Sequence, residues 1–206
     1  HHVEGEATVV GNLVLVGLRD QYVSAQGWRD YFAEWLAATR VAVVTDTDPY
    51  LVVRSQLKYV VGGAFLMDAW FDGGADNLRQ QWDPAILETA NWMRGYDSRI
   101  AAARFVECEF PSVPAGYSVW ADDRLGGEML FAMLVPDGEA GEAYLSSSWA
   151  SAANWQGDHL RVLVGNTGGD PVAVAYRVRA ATVDQARDIA HARALHGRPA
   201  AHPRRV

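Results

Sequence analysis

Cys108 is the single cysteine of the 206 residues, so no disulfide can close within the chain and no thiolate cage can hold a metal. Lysine is equally scarce, because all but Lys58 of the 18 basic residues are arginine. No apolar run approaches the roughly 18 residues that a membrane-spanning helix needs. Beyond His1-His2, histidine occurs only at positions 159, 191, 196 and 202. The chain has no Gly-x-Gly-x-x-Gly, no Gly-x-x-x-x-Gly-Lys, no Gly-x-Ser-x-Gly elbow and no His-Glu-x-x-His. Dinucleotide, P-loop, serine-hydrolase and zincin chemistry therefore lack their usual carriers. His1-His2-Val3-Glu4 has neither the basic start nor the apolar stretch of a secretory leader. That doublet reads as a tag stub or a processed end. An N-terminal histidine can bind copper, but a tag stub is the simpler account, and no cofactor or metal is expected.

Charge narrows the partners. A formal net charge of −7 opposes general nucleic-acid binding, which rests on neutralising phosphates with a basic surface. Basic charge gathers only towards the end, at Arg193, Arg198, Arg204 and Arg205. Such a cluster is ordinarily a solvated helix end and tail. The sharper reading is a short arm that docks on an acidic partner or on a phosphate backbone, and in an assembly Arg204 and Arg205 would make its contacts with a neighbouring subunit.

What is present reads mostly as strand. Thr8–Leu18 is apolar and β-branched, interrupted by glycine, and predicts a buried strand. Trp28, Tyr31, Phe32, Trp35 and Leu36 then fall at helical spacing and predict a helix over 24–38, with its aromatic stripe in the core. Further strands are expected at Arg40–Thr45, Leu51–Val61 and Ala64–Phe71, with turns at 46–49 and 62–63. Asp83-Pro84 signals a helix start, giving a helix over 83–94. Strands follow at 106–110, 117–121, 128–135, 142–149, 159–165 and 172–180. The link Gly165-Asn-Thr-Gly-Gly-Asp-Pro171 marks a hairpin. Thr182-Val-Asp-Gln185 resembles a capping box opening a helix over 183–196. The expected fold is α+β and β-rich: one domain over 1–206, an antiparallel sheet, sandwich or barrel-like body, with about three helices including a C-terminal one.

Several groups are candidates for chemistry. Trp70, Trp82 and Trp92 surround the polar turn Asp72-Gly-Gly-Ala-Asp76-Asn77. Flat aromatic surface beside carboxylates suits a sugar platform or a protein interface, and equally a core. Asp68, Asp72, Asp122-Asp123 and Glu128 are the candidate acid/base carboxylates, since glycoside hydrolysis needs two carboxyls several ångströms apart. With so many acidic residues, some pair always looks suggestive. The Asp72–Asn77 turn, with Asp46 and Asp48, resembles part of a calcium loop but lacks its alternating ligands and final glutamate. His159 as a base would need Cys108 or the Ser146–Ser148 run as a nucleophile, and a strand-end histidine with ordinary solvation is the plainer account.

The first functional expectation is a non-catalytic structural or assembly subunit, such as a virion, tail or other shell component, forming a homo-oligomer or larger assembly. Aromatic residues and arginine anchor buried interfaces, and the Leu66–Tyr96 segment would supply them. The alternative is a carbohydrate-binding module or a carboxylate-dependent glycoside hydrolase with a glycan ligand. A third class is an enzyme with an apolar pocket and no recognisable motif.

Overall fold

The computed structural model describes residues 2–45, 48–82, 89–95, 106–135, 142–167, 173–180 and 182–196. Helix predominates among them. The β-rich sandwich or barrel expected above is wrong, because most of the apolar runs read as strands are helical.

Helix α1 spans His2–Leu18, where a strand was expected over 8–18. Helix α2 spans Ala25–Thr45, so the helix expected over 24–38 also absorbs the expected strand at 40–45. Ser24 Oγ accepts from Gly27 N–H at 3.1 Å at its start, which satisfies one orphan amide. Trp28, Phe32, Thr39 and Val43 are buried along it, at the spacing of one helical face. Asp48 then caps α3, Pro49–Val52, by accepting from Leu51 N–H at 3.0 Å, with Pro49 in the first turn. A π-helical turn, Val53–Leu57, runs directly into α4, Lys58–Gln80. The expected strands at 51–61 and 64–71 and the turn at 62–63 all lie inside this helical stretch.

Close backbone approach explains two of the glycines. A Cβ on Gly5 would lie 2.6 Å from the Gly62 carbonyl carbon, and one on Gly63 would lie 2.6 Å from the Phe32 ring. Glycine thus lets α1 and α2 press onto α4. The turn expected at 72–77 exists as a kink within α4, where Gly73 (φ −154°, ψ 17°) and Gly74 (φ 63°, ψ −149°) leave helical geometry.

A second group comprises α5 (Thr89–Arg94), α6 (Gly126–Leu134), α7 (Glu142–Ala153) and α8 (Val183–His196). The strands expected at 128–135 and 142–149 are α6 and α7. Leu130, Phe131 and Leu134 are buried on α6, spaced 1 and 3 apart, and Leu145, Ser148 and Ala152 on α7, spaced 3 and 4 apart, which is helical rather than alternating. The capping box of α8 forms: Gln185 N–H donates to Thr182 Oγ1 at 3.2 Å, and Thr182 N–H donates to Gln185 Oε1 at 3.0 Å. Residues 83–88 and 197–206 lie outside the described residues.

Among the described residues one antiparallel sheet remains, β1 (Tyr117–Asp123), β2 (Trp155–Gly165) and β3 (Ala173–Ala180), in that order. Pairing sets Asp122 opposite Arg161, and His159 opposite Arg177. A bulge between Val119 and Ala121 leaves Trp120 outside the ladder and 73% exposed. Residues 106–110, expected as a strand, have no regular secondary structure. They are held to β2 by Val106 N–H donating to Gln156 O at 2.9 Å. One hydrophobic core joins both helical groups and β2, from Val9 and Phe32 through Phe65 and Phe131 to Trp155 and Ile189.

Candidate functional site

The two faces of β2 carry different polar clusters, because successive side chains of a strand point to opposite faces. On the inner face Asp158 is 1% exposed. Its carboxylate accepts from Leu125 N–H at 3.1 Å, Gly126 N–H at 2.9 Å and Tyr176 O–H at 2.7 Å. Leu125 and Gly126 open α6, so a strand carboxylate caps a helix where the helix dipole favours negative charge. Burial, and next the Asp158 charge, drive the Tyr176 phenol far above its usual range. The phenol is therefore a fixed donor. This cluster is structural.

On the outer face Asp122, His159 and Arg161 converge. Asp122 binds the Arg161 guanidinium at 2.8 and 3.0 Å and also contacts His159 Nε2. His159 Nδ1 lies 2.8 Å from the Cys108 carbonyl oxygen. A carbonyl and a carboxylate can only accept, so both ring nitrogens donate and the ring is an imidazolium. Consistently, the Asp122 bond, followed by the Cys108 carbonyl, raises the His159 pKa above its ordinary value. Asp122 is lowered in turn, chiefly by His159. Phe110 packs over His159, with ring centres 4.7 Å apart, and Arg161 sits 4.9 Å over Phe110. The whole cluster clasps the 106–111 segment to the sheet.

That geometry answers the nucleophile question. His159 meets the carbonyl of Cys108 rather than its thiol, and has no nitrogen left to act as a base. Burial, reinforced by Asp158, pushes the thiol above its usual range, which keeps it protonated and unreactive. The Ser146–Ser148 run lies on α7, not on a strand edge. Ser148 Oγ is turned inward, donating to Leu134 O at 3.3 Å.

The other sequence candidates are dispersed. Asp68 and Asp72 lie on α4 and Asp122 on β1, each within its own bonds. Asp68 pairs with Arg29 at 2.8 Å, and Asp72 accepts from Asn77 Nδ2 at 3.3 Å across the kink. Trp92 is a core residue, 3% exposed and stacked on Phe65 with centroids 5.4 Å apart. Trp70 and Trp82 are partly open, at 37% and 46%. Asp48 spends its oxygen capping α3, and Asp46, His1, Arg204 and Arg205 lie outside the described residues. Among the described residues no group of three or more His, Cys, Asp or Glu could hold a metal ion.

Two features were not anticipated from the sequence: the burial of the candidate carboxylate Glu128 beside an ion pair, and the outer surface of α1. Lys58, on α4 just after the π-helical turn, meets Glu4 of α1 at 2.9 Å. Nearby, Glu128 of α6 is 5% exposed, and burial pushes its carboxyl up to about 8. The second feature is the outer surface of α1. Val3, Val10, Val14 and Leu18 are 52% to 79% exposed, and Ala7, Gly11 and Gly17 are exposed among them. On the opposite side Gly5 and Val9 are buried, and Leu13 and Val16 are partly so. Leu15, 52% exposed, links this surface to a groove of 280 Å³ lined also by Val16, Val23, Trp28 and Tyr31.

The chain matches no protein family, no curated protein and no solved structure. Among the described residues no helix is long and apolar enough to cross a membrane.

Proposed function

We propose that this chain is a non-catalytic assembly subunit, of the virion, tail or shell-component kind, that docks through the apolar surface of α1. One observation carries the reading: α1 is apolar on both its inner and outer sides. A helix of that kind is ordinarily buried all round, and contiguous apolar surface on a folded chain marks an interaction site. The five exposed aliphatic side chains Val3, Val10, Val14, Leu15 and Leu18 keep half or more of their area in water. Covering them is worth roughly 1 kcal/mol each. Association itself costs about 4–15 kcal/mol, so one α1 surface is a sticky patch rather than a complete interface. Tyr31, which lines the groove beside Leu15, and Tyr22, just beyond α1, are also exposed and extend this surface.

The glycan alternative draws less support. Trp92 and the protonated Glu128 are inside the core, 3% and 5% exposed and out of a glycan's reach, and Asp68 and Asp122 are each bound to an arginine. A general acid must hold a proton near neutral pH, and a neighbouring guanidinium opposes that.

Light scattering on a size-exclusion column at two protein concentrations tests the reading. A defined multimer, dispersed by Val10→Glu with unchanged circular dichroism, is expected. A monomer at both concentrations would overturn it and make Trp70 and Trp82 the residues to substitute in glycan-binding assays.

A further inference from the structure

Resting on the assembly reading, we propose that α1 pairs with α1 of a second copy, antiparallel, about a two-fold axis near the middle of the helix. The exposed residues Val3, Ala7, Val10, Val14 and Gly17 are spaced 4, 3, 4 and 3 apart. This is the a/d spacing of a two-helix seam. Their side chains are small or β-branched, and Gly11 and Gly17 allow the backbones to approach closely. Among the described residues no other part of this chain covers the seam.

Charge selects the orientation. Glu6 is exposed and flanks the seam one position before Ala7. Arg19 follows the helix at its other end, also exposed. A parallel pair would set Glu6 beside the Glu6 of its partner and align the two helix dipoles. An antiparallel pair brings Glu6 towards the partner's C-terminal end, where Arg19 lies, and opposes the dipoles. Like charges facing each other are unfavourable across such a seam, so the antiparallel arrangement wins.

The seam is also presented ready-made. Gly5 rests directly on the Gly62 backbone, and Lys58 ties Glu4 to α4 at 2.9 Å. Binding therefore orders little that is not already ordered, which lowers its entropic cost. Two copies bring six half-exposed valines, Val3, Val10 and Val14 of each, to the seam, worth about 6 kcal/mol by the same reckoning. That falls within the range of the association cost, so the pair is predicted to be concentration-dependent.

Cross-linking decides it. In a Cys108→Ser background, Val10→Cys and Val3→Cys are each treated with a short bis-maleimide and run on a denaturing gel. Light scattering is measured on the same samples. In an antiparallel pair two Val10 positions meet near the axis. Two Val3 positions lie roughly 20 Å apart along the helix at 1.5 Å per residue, beyond the linker's reach. A dimer band for Val10→Cys and none for Val3→Cys is expected. Bands for both would overturn the orientation in favour of a parallel pair. Neither band, with a multimer still seen by scattering, would remove α1 from the contact while leaving assembly intact. Neither band from a monomer would defeat both proposals. Flotation of that monomer with phosphatidylcholine vesicles would assign the seam to a lipid surface instead.

Discussion

Asp158→Ala should damage the fold more than its size suggests. The wild-type carboxylate is 1% exposed and serves the Leu125 amide at 3.1 Å, the Gly126 amide at 2.9 Å and the Tyr176 phenol at 2.7 Å. Alanine strands all three donors inside the protein. Each buried unsatisfied group costs about 1–3 kcal/mol, and the lost anion at the start of α6 adds about 0.3–1 kcal/mol. Water entering the vacated space recovers part of this, so a net loss of roughly 3–5 kcal/mol is expected. Against a typical total of about 5–15 kcal/mol, that brings the chain close to unfolding. Tyr176→Phe removes one donor and leaves Asp158 capping α6, for a loss of about 1 kcal/mol. The two changes share a partner and cannot add. In the Asp158→Ala background, Tyr176→Phe should cost nothing, or even stabilise, because the phenol has already lost its acceptor. Urea unfolding followed by far-ultraviolet circular dichroism gives all four stabilities, provided the m-values agree. A loss below about 1 kcal/mol for Asp158→Ala at constant m would refute the argument, since it would mean that solvent already serves these donors.

Two further predictions concern pH. Burial pushes Glu128 up to about 8 from an ordinary 4.5, so between those values the folded state holds a proton that the unfolded state has released. Stability therefore falls as pH rises through that window. Glu128→Gln should flatten the fall and raise stability at pH 7 by roughly 1–3 kcal/mol; an unchanged urea midpoint would show that Lys58 already supports the carboxylate. His159 is raised above its ordinary 6.5 by Asp122 and the Cys108 carbonyl. Its stabilising effect is complete below 6.5 and disappears as pH climbs through the folded-state value. His159→Gln should remove that alkaline decline, and an imidazole titrating below 6.5 by NMR would contradict the doubly donating geometry.

Local signals with their own stereochemistry were legible in the sequence. The Thr182–Gln185 capping box and the Trp28/Phe32 stripe stand where their residues place them, and the strands expected at 117–121, 159–165 and 172–180 correspond to β1, β2 and, from Ala173, β3. Each depends on neighbours a few positions away. The outer polar cluster was half legible: Asp122, His159 and Cys108 were each noticed, but only the register that sets Asp122 opposite Arg161 joins them. Glu128 stood out only as one acid/base candidate among several and Asp158 only as the residue before a strand, because burial is a property of the finished packing rather than of the local sequence.

The large error, strands for helices, has one physical source. Amphipathic helices are recognised by a contrast between two faces, and here the contrast is missing. In α4, Gly62 and Gly63 resemble a turn, yet Gly63 is the surface against which Phe32 packs. In α6 the run from Met129 to Leu134 is buried on nearly every side. In α1 the inner residues Gly5, Val9, Leu13 and Val16 interleave with the outer residues Val3, Ala7, Val10 and Val14, so the two stripes fuse into one β-branched run. That fusion conceals the helix and also carries the assembly reading. A helix serving only its own core would show water a polar outer face, as α2 does with Arg29, Asp30 and Glu34. By placing valine there instead, α1 gives up the pattern that identifies a surface helix, and its outer residues are accounted for once a second helix covers them.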